Sequence, residues 1–273
     1  MLWLGGGTAV GGAYYLSHLD TVPVTQRRRF MDISVDTEKL MAQQAYHEVM
    51  REFRHHILPP AHPYSVFVNQ VAHKLIRVSG LQDLKWEVYV IDSPQKNAFV
   101  LPGGKIFVFS GLLPIAGDKD GMAAVLGHEI GHQVARHTAE KLSWSKLTVI
   151  AQTIIAFVFG GDFQFLSGLF LQLGVLLPFS RKMEVEADHI GLCLMAQACY
   201  DPRAAVGMWE RMSQADKQSP GILAYVQTHP SHANRIEKIK AWLPEALGIL
   251  NASDCRQTFE MFQGFRKYAQ PSI

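Results

Sequence analysis

Cysteine is scarce in this chain. Only three occur in 273 residues, Cys193, Cys199 and Cys255, and none falls in a CxxC pattern. That excludes a zinc knuckle and a dense disulfide framework. Charge is scarce too: 18% of residues are Asp, Glu, Lys or Arg, and the formal net charge is +2 with histidines neutral. No long basic stripe interleaved with aromatics is present, so nucleic acid is not an expected partner. Internal repeats and low-complexity segments are absent as well. What the chain has in quantity is apolar residues, at 48%. At this length they suffice for one large domain or two small ones with a substantial core. Mean hydropathy is slightly positive. The apolar residues are also unevenly placed, which points to a membrane-associated protein rather than a many-pass one.

The first apolar concentration is the start, MLWLGGGTAVGGAYYLSHLD. It is too glycine-rich for a good soluble helix. It has the composition of a membrane anchor over residues 1–19, at or below the roughly 20 residues that a full span needs. Gly7 and Gly11 make one GxxxG helix-packing signal. Residues 20–34 read as an extended linker. Within them Arg27, Arg28 and Arg29 favour keeping the downstream side in a matrix or cytoplasm. The second concentration is Thr148 to Phe179, where only Asp162 carries a charge. Gly160-Gly161-Asp162 divides it into two stretches, neither a comfortable span. It reads as an apolar hairpin over 148–179, either buried or lying against a bilayer.

Between and after these stretches the period changes several times. Leu40, Met41, Ala45, Val49, Phe53 and Ile57 recur at helical spacing from Thr37 to Ile57. A second helix is expected from Tyr64 to Val78. KWEVYVIDS alternates as a strand, and NAFVLPGGKIFVFSG reads as a hairpin turning at Pro102-Gly103-Gly104. From about Asp118 the pattern is helical through to Leu142. Pro178 ends the apolar hairpin, and SRKMEVEADHIGLCLMAQA, DPRAAVGMWERM, HANRIEKIKAWL and ASDCRQTFEMFQGF read as further helices. The class is α+β, mostly α, with a small β-sheet or hairpin beside the helix that starts near Asp118. Residues 35–273 form the main domain.

The chemistry concentrates in LGHEIGHQVARH, Leu126 to His137. His128 and His132 are four apart on a helix, so both imidazoles project from one face. That spacing lets both coordinate one zinc. Glu129, beside the first histidine, reaches a metal-activated water instead and takes its proton as it attacks a carbonyl. Gly127 and Gly131 weaken the helix by roughly 1 kcal/mol each, which close packing beneath it would explain. A polar surface helix is the alternative, but the motif sits in the apolar stretch GMAAVLGHEIGHQVA, where unpaired histidines are expensive to bury. A catalytic zinc needs a third protein ligand. His137 is poorly placed for the elongated motif, since Ala135 and Thr138 stand where that motif needs Gly and His. It reads as a residue behind the ligands or at the surface. In RKMEVEADHIG, Glu184 and Asp188 share a helix face one turn apart. Glu184 completes a His-His-Glu set, and Asp188 hydrogen-bonds a ligand imidazole. Glu186 points off that face and reads as a solvated carboxylate.

HEIGHQVARH followed by SRKMEVEADHIGL resembles the HtpX and CAAX-prenyl-protease class of membrane zinc endopeptidases, whose pattern is HExxH then ExxAD. HLDTVPVTQRRRF, NAFVLPGGKIFVFSGLL and THPSHANRI are similar to its mitochondrial inner-membrane branch, whose activity overlaps that of the m-AAA protease. The resemblance implies a mostly helical zincin-like fold with one zinc per chain. It carries over His128, His132 and Glu184 as ligands, Glu129 as general base and Asp188 as the aspartate behind a ligand imidazole. It implies a domain on the intermembrane-space side, against the arginine argument, which import machinery can override. It also implies stress-linked processing and quality control of membrane-anchored protein substrates, including a dynamin-like fusion GTPase, contact with a lipid bilayer, and homo-oligomers. The HP motif suggests His229 as an oxyanion stabiliser. A bacterial envelope quality-control protease of the same class is the other reading. A silent scaffold of the same fold would have lost the base or a ligand, and none is missing. A zinc hydrolase of non-peptide bonds has no support in the rest of the chain.

Two readings are left from the residues themselves. The hairpin before the metal helix offers an edge strand for substrate, with Asn97, Ala98 and Phe99 as the expected contacts. The cysteines are free or buried thiols, or Cys255 pairs with Cys199 or Cys193 in an oxidising compartment. Cys199 is the preferred partner, because Cys193 lies in the apolar run IGLCLMA.

Overall fold

In a computed structural model of the chain, the described residues are 11–159, 177–218, 229, 235–253 and 255. Two short strands, β1 (Leu19–Thr21) and β2 (Arg28–Phe30), pair antiparallel. Helix α1 (Val35–Phe53) follows, with the Ser34 side chain accepting from the Thr37 N–H at its N-terminus. Helix α2 (Pro63–Val78) opens on proline, whose missing N–H has no partner to lose there. Strands β3 (Glu87–Ile91), β4 (Ala98–Leu101) and β5 (Lys105–Phe109) come next. The remaining long helices are α3 (Lys119–Val134), α4 (His137–Phe159), α5 (Leu177–Gln197), α6 (Ala204–Gln218) and α7 (Arg235–Ala252). The class is the expected one, mostly helical with a small mixed sheet.

The sheet runs β3-β5-β4, parallel on one side of β5 and antiparallel on the other. Residues of β5 alternate between two cores, as the period of two requires. Ile106 and Val108 enter the main core with α2 and α3. Phe107 and Phe109 face α1, packing against Tyr46, Val49 and Phe53. Among the described residues β4 pairs on one side only, which leaves it as an edge next to α3.

Helix α3 is buried almost all round, and its most extensive partner is α5. The crossing is built on small residues. A β-carbon on Gly127 would come 2.9 Å from the Gly191 carbonyl oxygen, and one on Gly131 would come 2.8 Å from that of Ala187. The two glycines that weaken α3 are therefore what lets the backbones approach, as the sequence suggested.

Four expectations need correction. Residues 20–34 are not an extended linker: the β1–β2 ribbon occupies them, with Val22 and Phe30 fully buried. Two of the three arginines there turn inward, since Arg29 pairs with Asp20 and donates to the Ala135 carbonyl, and Arg27 pairs with Glu140 and Glu186, whereas Arg28 is exposed. The helix from Asp118 to Leu142 is two helices, broken at Arg136, whose φ is 48°. Helix α5 begins at Leu177, three residues before the expected Ser180, so Pro178 lies in its first turn. No helix among the described residues is long and apolar enough to cross a membrane. The anchor expected over 1–19 and the hairpin expected over 148–179 lie partly outside the described residues, at 1–10 and 160–176, and the helix expected from ASDCRQTFEMFQGF lies outside them apart from a few positions.

Candidate active site

Helices α3 and α5 aim three side chains at one point. His128 Nε2 and His132 Nε2 lie 3.1 Å apart. Glu184 brings Oε2 to 3.3 Å from His128 Nε2 and Oε1 to 3.5 Å from His132 Nε2. Donors on a tetrahedral zinc with bonds of about 2.0–2.1 Å stand about 3.3 Å from one another. The three separations bracket that value, and two imidazoles with a carboxylate are a zinc donor set, so the residues fit the metal. His229 joins them, with Nδ1 3.1 Å from Glu184 Oε2 and 3.3 Å from His128 Nε2. The candidate donor atoms of these four residues all lie within 4.8 Å of one another. Glu129 is 2% exposed, with Oε1 3.5 Å from His229 Nε2.

Asp188 stands behind His128, its Oδ1 2.9 Å from His128 Nδ1. Arg235, at the start of α7, holds that carboxylate with two bonds of 2.6 Å. Its guanidinium lies 3.4 Å over the Trp209 ring of α6. Four helices thus meet at His128.

Electrostatics follow the burial. Burial raises Glu184, but its bonds to His128 and His229 outweigh that and hold it far below the usual carboxylate range. Burial raises Asp188 too, and the Arg235 charge and the bond to His128 reverse it. Burial, then the His128 charge, keeps His132 well below the ordinary histidine value. Burial and Arg235 push His128 down, yet bonds to Asp188 and Glu184 bring it up to about 9. The pocket therefore keeps two carboxylates ionised, the charge pattern of a cation site.

A cleft of about 190 Å³ opens over Glu129, His132, Glu184 and His229. Phe99 and Val100 of β4 line one part, and Lys141, Ser180 and Met183 line another. Of the expected substrate contacts, Phe99 reaches the cleft. Ala98 is fully buried, and Asn97 is buried with its side chain accepting from the Ala98 N–H. Val100 is an addition. Away from the cleft, Cys199 and Cys255 are joined in a disulfide with Cα atoms 5.4 Å apart, and Cys193 is a buried free thiol.

Sequence reasoning missed a polar cluster behind His132. Glu186 is not solvated: it is 6% exposed, bonded to His137 and Arg27. His137 is 3% exposed, its Nδ1 2.8 Å from His132 Nδ1. Arg27 and Glu140 complete the cluster. The misreading came from giving α5 a solvent face. Nearly every residue of that helix from Met183 to Ala196 is buried.

Comparison with known proteins gives the same picture. The model of peptidase family M48 matches residues 67–243. The chain is 51% identical to the mitochondrial metalloendopeptidase OMA1 of Schizosaccharomyces pombe, over 97% of this chain and 79% of that one. The Saccharomyces cerevisiae protein of the same name is 38% identical, over 92% of this chain and 77% of its own. The Bos taurus mitochondrial metalloendopeptidase OMA1 is 37% identical, over 89% of this chain and 49% of its own.

Proposed function

The chain belongs to peptidase family M48, in the branch of the mitochondrial metalloendopeptidases OMA1, and on that premise we propose how its site works and what it acts on. It is a zinc metalloendopeptidase of mitochondria, and the bacterial envelope reading gives way to the mitochondrial one. The convergence of His128, His132 and Glu184 at 3.1–3.5 Å carries the reading of the site.

His128, His132 and Glu184 hold one zinc. When bound, zinc supplies Lewis acidity, polarising a peptide carbonyl and making water acidic near neutral pH. Glu129 accepts the proton of the attacking water and returns it to the leaving amine. Its burial beside His229 keeps that carboxylate in place and out of bulk water. His229 donates to the oxyanion as the carbonyl carbon becomes tetrahedral. Asp188 accepts from His128 Nδ1–H, which fixes the tautomer and leaves Nε2 free to bind. Substrate lies along β4 as an added strand, held by main-chain hydrogen bonds over Phe99 and Val100. Replacing His229 by Phe is expected to lower kcat strongly with zinc content nearly unchanged.

The substrates are membrane-anchored proteins cleaved under stress for processing and quality control, among them a dynamin-like fusion GTPase. The chain sits at the inner membrane, with residues 1–19 as anchor and 35–273 facing the intermembrane space. The apolar residues of 148–179 lie against the bilayer, supported by exposed Val149, Ile154 and Phe157 on α4. The active form is a homo-oligomer, and nucleic acid plays no part. Protease protection of the mitochondrially imported chain tests the topology. Degradation of the catalytic domain once the outer membrane is opened, with protection before, is the expected result. Protection until the inner membrane is dissolved would place the domain in the matrix instead.

A further inference from the structure

Among the described residues, Asp188 with Arg235 forms one polar chain behind the histidine pair, ending on His128. A second ends on His132, whose Nδ1 lies 2.8 Å from His137 Nδ1. His137 Nε2 lies 3.0 Å from Glu186 Oε2. Glu186 accepts from Arg27 at 2.9 and 2.7 Å and from the Thr25 hydroxyl. Arg27 also donates to Glu140 at 2.7 and 2.6 Å. His137, Glu140 and Glu186 by themselves have the donor spacing of a second metal site. The Arg27 guanidinium, seated on both carboxylates, is the cation there instead.

Hydrogen-bond direction along this chain is fixed by its two ends. His132 Nε2 must keep its lone pair to bind a metal, so His132 Nδ1 carries the proton and donates. His137 Nδ1 then accepts, so His137 Nε2 carries its own proton and donates to Glu186. Arg27 supplies donors only, and Glu186, as a carboxylate, accepts from both sides. Each group has the one role that the next requires. Two carboxylates against one guanidinium also leave a net negative charge behind the ligands, which favours a bound cation.

The backbone is bent to make this contact. In an unbroken helix, residues five apart point about 140° away from each other. The break at Arg136 swings His137 back toward His132. The N-terminal segment pins that break at three points: Arg29 on the Ala135 carbonyl, Arg27 on Glu140, and Glu38 of α1 on Arg136 at 2.7 Å.

We propose that His137 is a positioning residue for the metal ligand His132, held in its accepting tautomer by Glu186 and Arg27, so that the N-terminal β1–β2 ribbon is a working part of the active site. This rests on the reading of His128, His132 and Glu184 as the ligands. Loosening the ribbon frees Glu186, then His137, and the second ligand loses both its orientation and part of its basicity.

The test uses the full chain in detergent and measures zinc affinity by chelator competition, the visible spectrum of the cobalt-substituted protein, and kcat and KM at saturating metal. His137→Phe removes the acceptor, whereas His137→Gln restores one acceptor and one donor. Expected is a loss of zinc affinity of about 10–100-fold for His137→Phe, the usual range for such partners, with an altered cobalt spectrum and lowered kcat at little-changed KM. His137→Gln is expected to recover most of the loss, and Arg27→Ala to shift the same readouts in the direction of His137→Phe. Parent-like affinity and spectrum in His137→Phe would overturn the proposal, and so would equal losses in the Phe and Gln variants, which would mark a bulk packing role. Should His137→Phe fail to fold, Arg27→Ala and Glu186→Gln decide alone: unchanged spectra in both overturn it. Glu184→Gln run alongside separates the two levels, because parent-like zinc affinity there would sink the ligand assignment itself.

Discussion

Gly127 and Gly191 face each other where the helices carrying His128 and Glu184 cross, so closely that a β-carbon on Gly191 would fall 2.7 Å from the Gly127 carbonyl carbon and from the His128 amide nitrogen. The obstacle is backbone, so it cannot rotate away. This contact sets the distance between the HExxH helix and the helix carrying Glu184. Gly191→Ala should therefore push the helices apart, with a stability loss of about 1–3 kcal/mol, as for overpacked cores, and weaker zinc binding. Gly248→Ala is the matched control, since a β-carbon there meets nothing within 4 Å. It should be neutral or stabilising. Thermal melts and zinc titration of the two variants check this, and equal behaviour would contradict it.

Arg235 holds Asp188 with two parallel bonds while lying on Trp209. A lysine keeps the charge but loses the fork and the stacking. Arg235→Lys is expected to weaken zinc by about tenfold or more, in the range for residues that orient a ligand histidine. Chelator competition measures it. A parent-like constant would show that charge alone suffices at that position.

The disulfide joins residues 56 apart in sequence. Closing a loop of that length restricts the unfolded chain by about 4 kcal/mol in the chain-entropy account. Cys199→Ser should lower the melting temperature, and reduction of the parent should lower it equally. Reduction that leaves the variant unchanged while shifting the parent would tie the effect to this bond. An unaltered melt in both would count against any stabilising role.

Acid should act through Glu186. Burial would raise its pKa, but bonds to His137, Arg27 and Thr25 outweigh that and bring it to about 2. An unfolded glutamate titrates at about 4.3. A carboxylate depressed on folding contributes stability that is complete above the unfolded value and lost as pH falls through the folded one. Melting temperature should therefore fall between about pH 4 and 2, and fall less in Glu186→Gln. Parallel pH profiles for the two proteins would refute this.

What could be read from sequence was what local spacing encodes. His128, His132, Glu184 and Asp188 each lie one helical turn from a partner, so their shared faces were legible before any fold was known. The β4–β5 hairpin was legible from Pro102-Gly103-Gly104, two of whose glycines adopt positive φ. What local spacing does not encode is which segment folds back on which. Arg27 lies over a hundred positions before Glu140, so Arg27 and Arg29 read as part of a cluster beside a membrane rather than as inward anchors. The break at Arg136 carries no Gly or Pro, and only the contacts it makes explain it. Glu186 looked solvated because an amphipathic helix was assumed, whereas a central helix has no solvent face.

The most direct test of the site is cleavage of an unfolded membrane-protein substrate by the detergent-purified chain beside Glu129→Gln, with zinc content matched in both. The expected result is equal metal and turnover by the parent alone, which makes Glu129 the base of a metal site it does not help to build. Turnover by Glu129→Gln at the parent's rate, or loss of its zinc, would contradict that assignment.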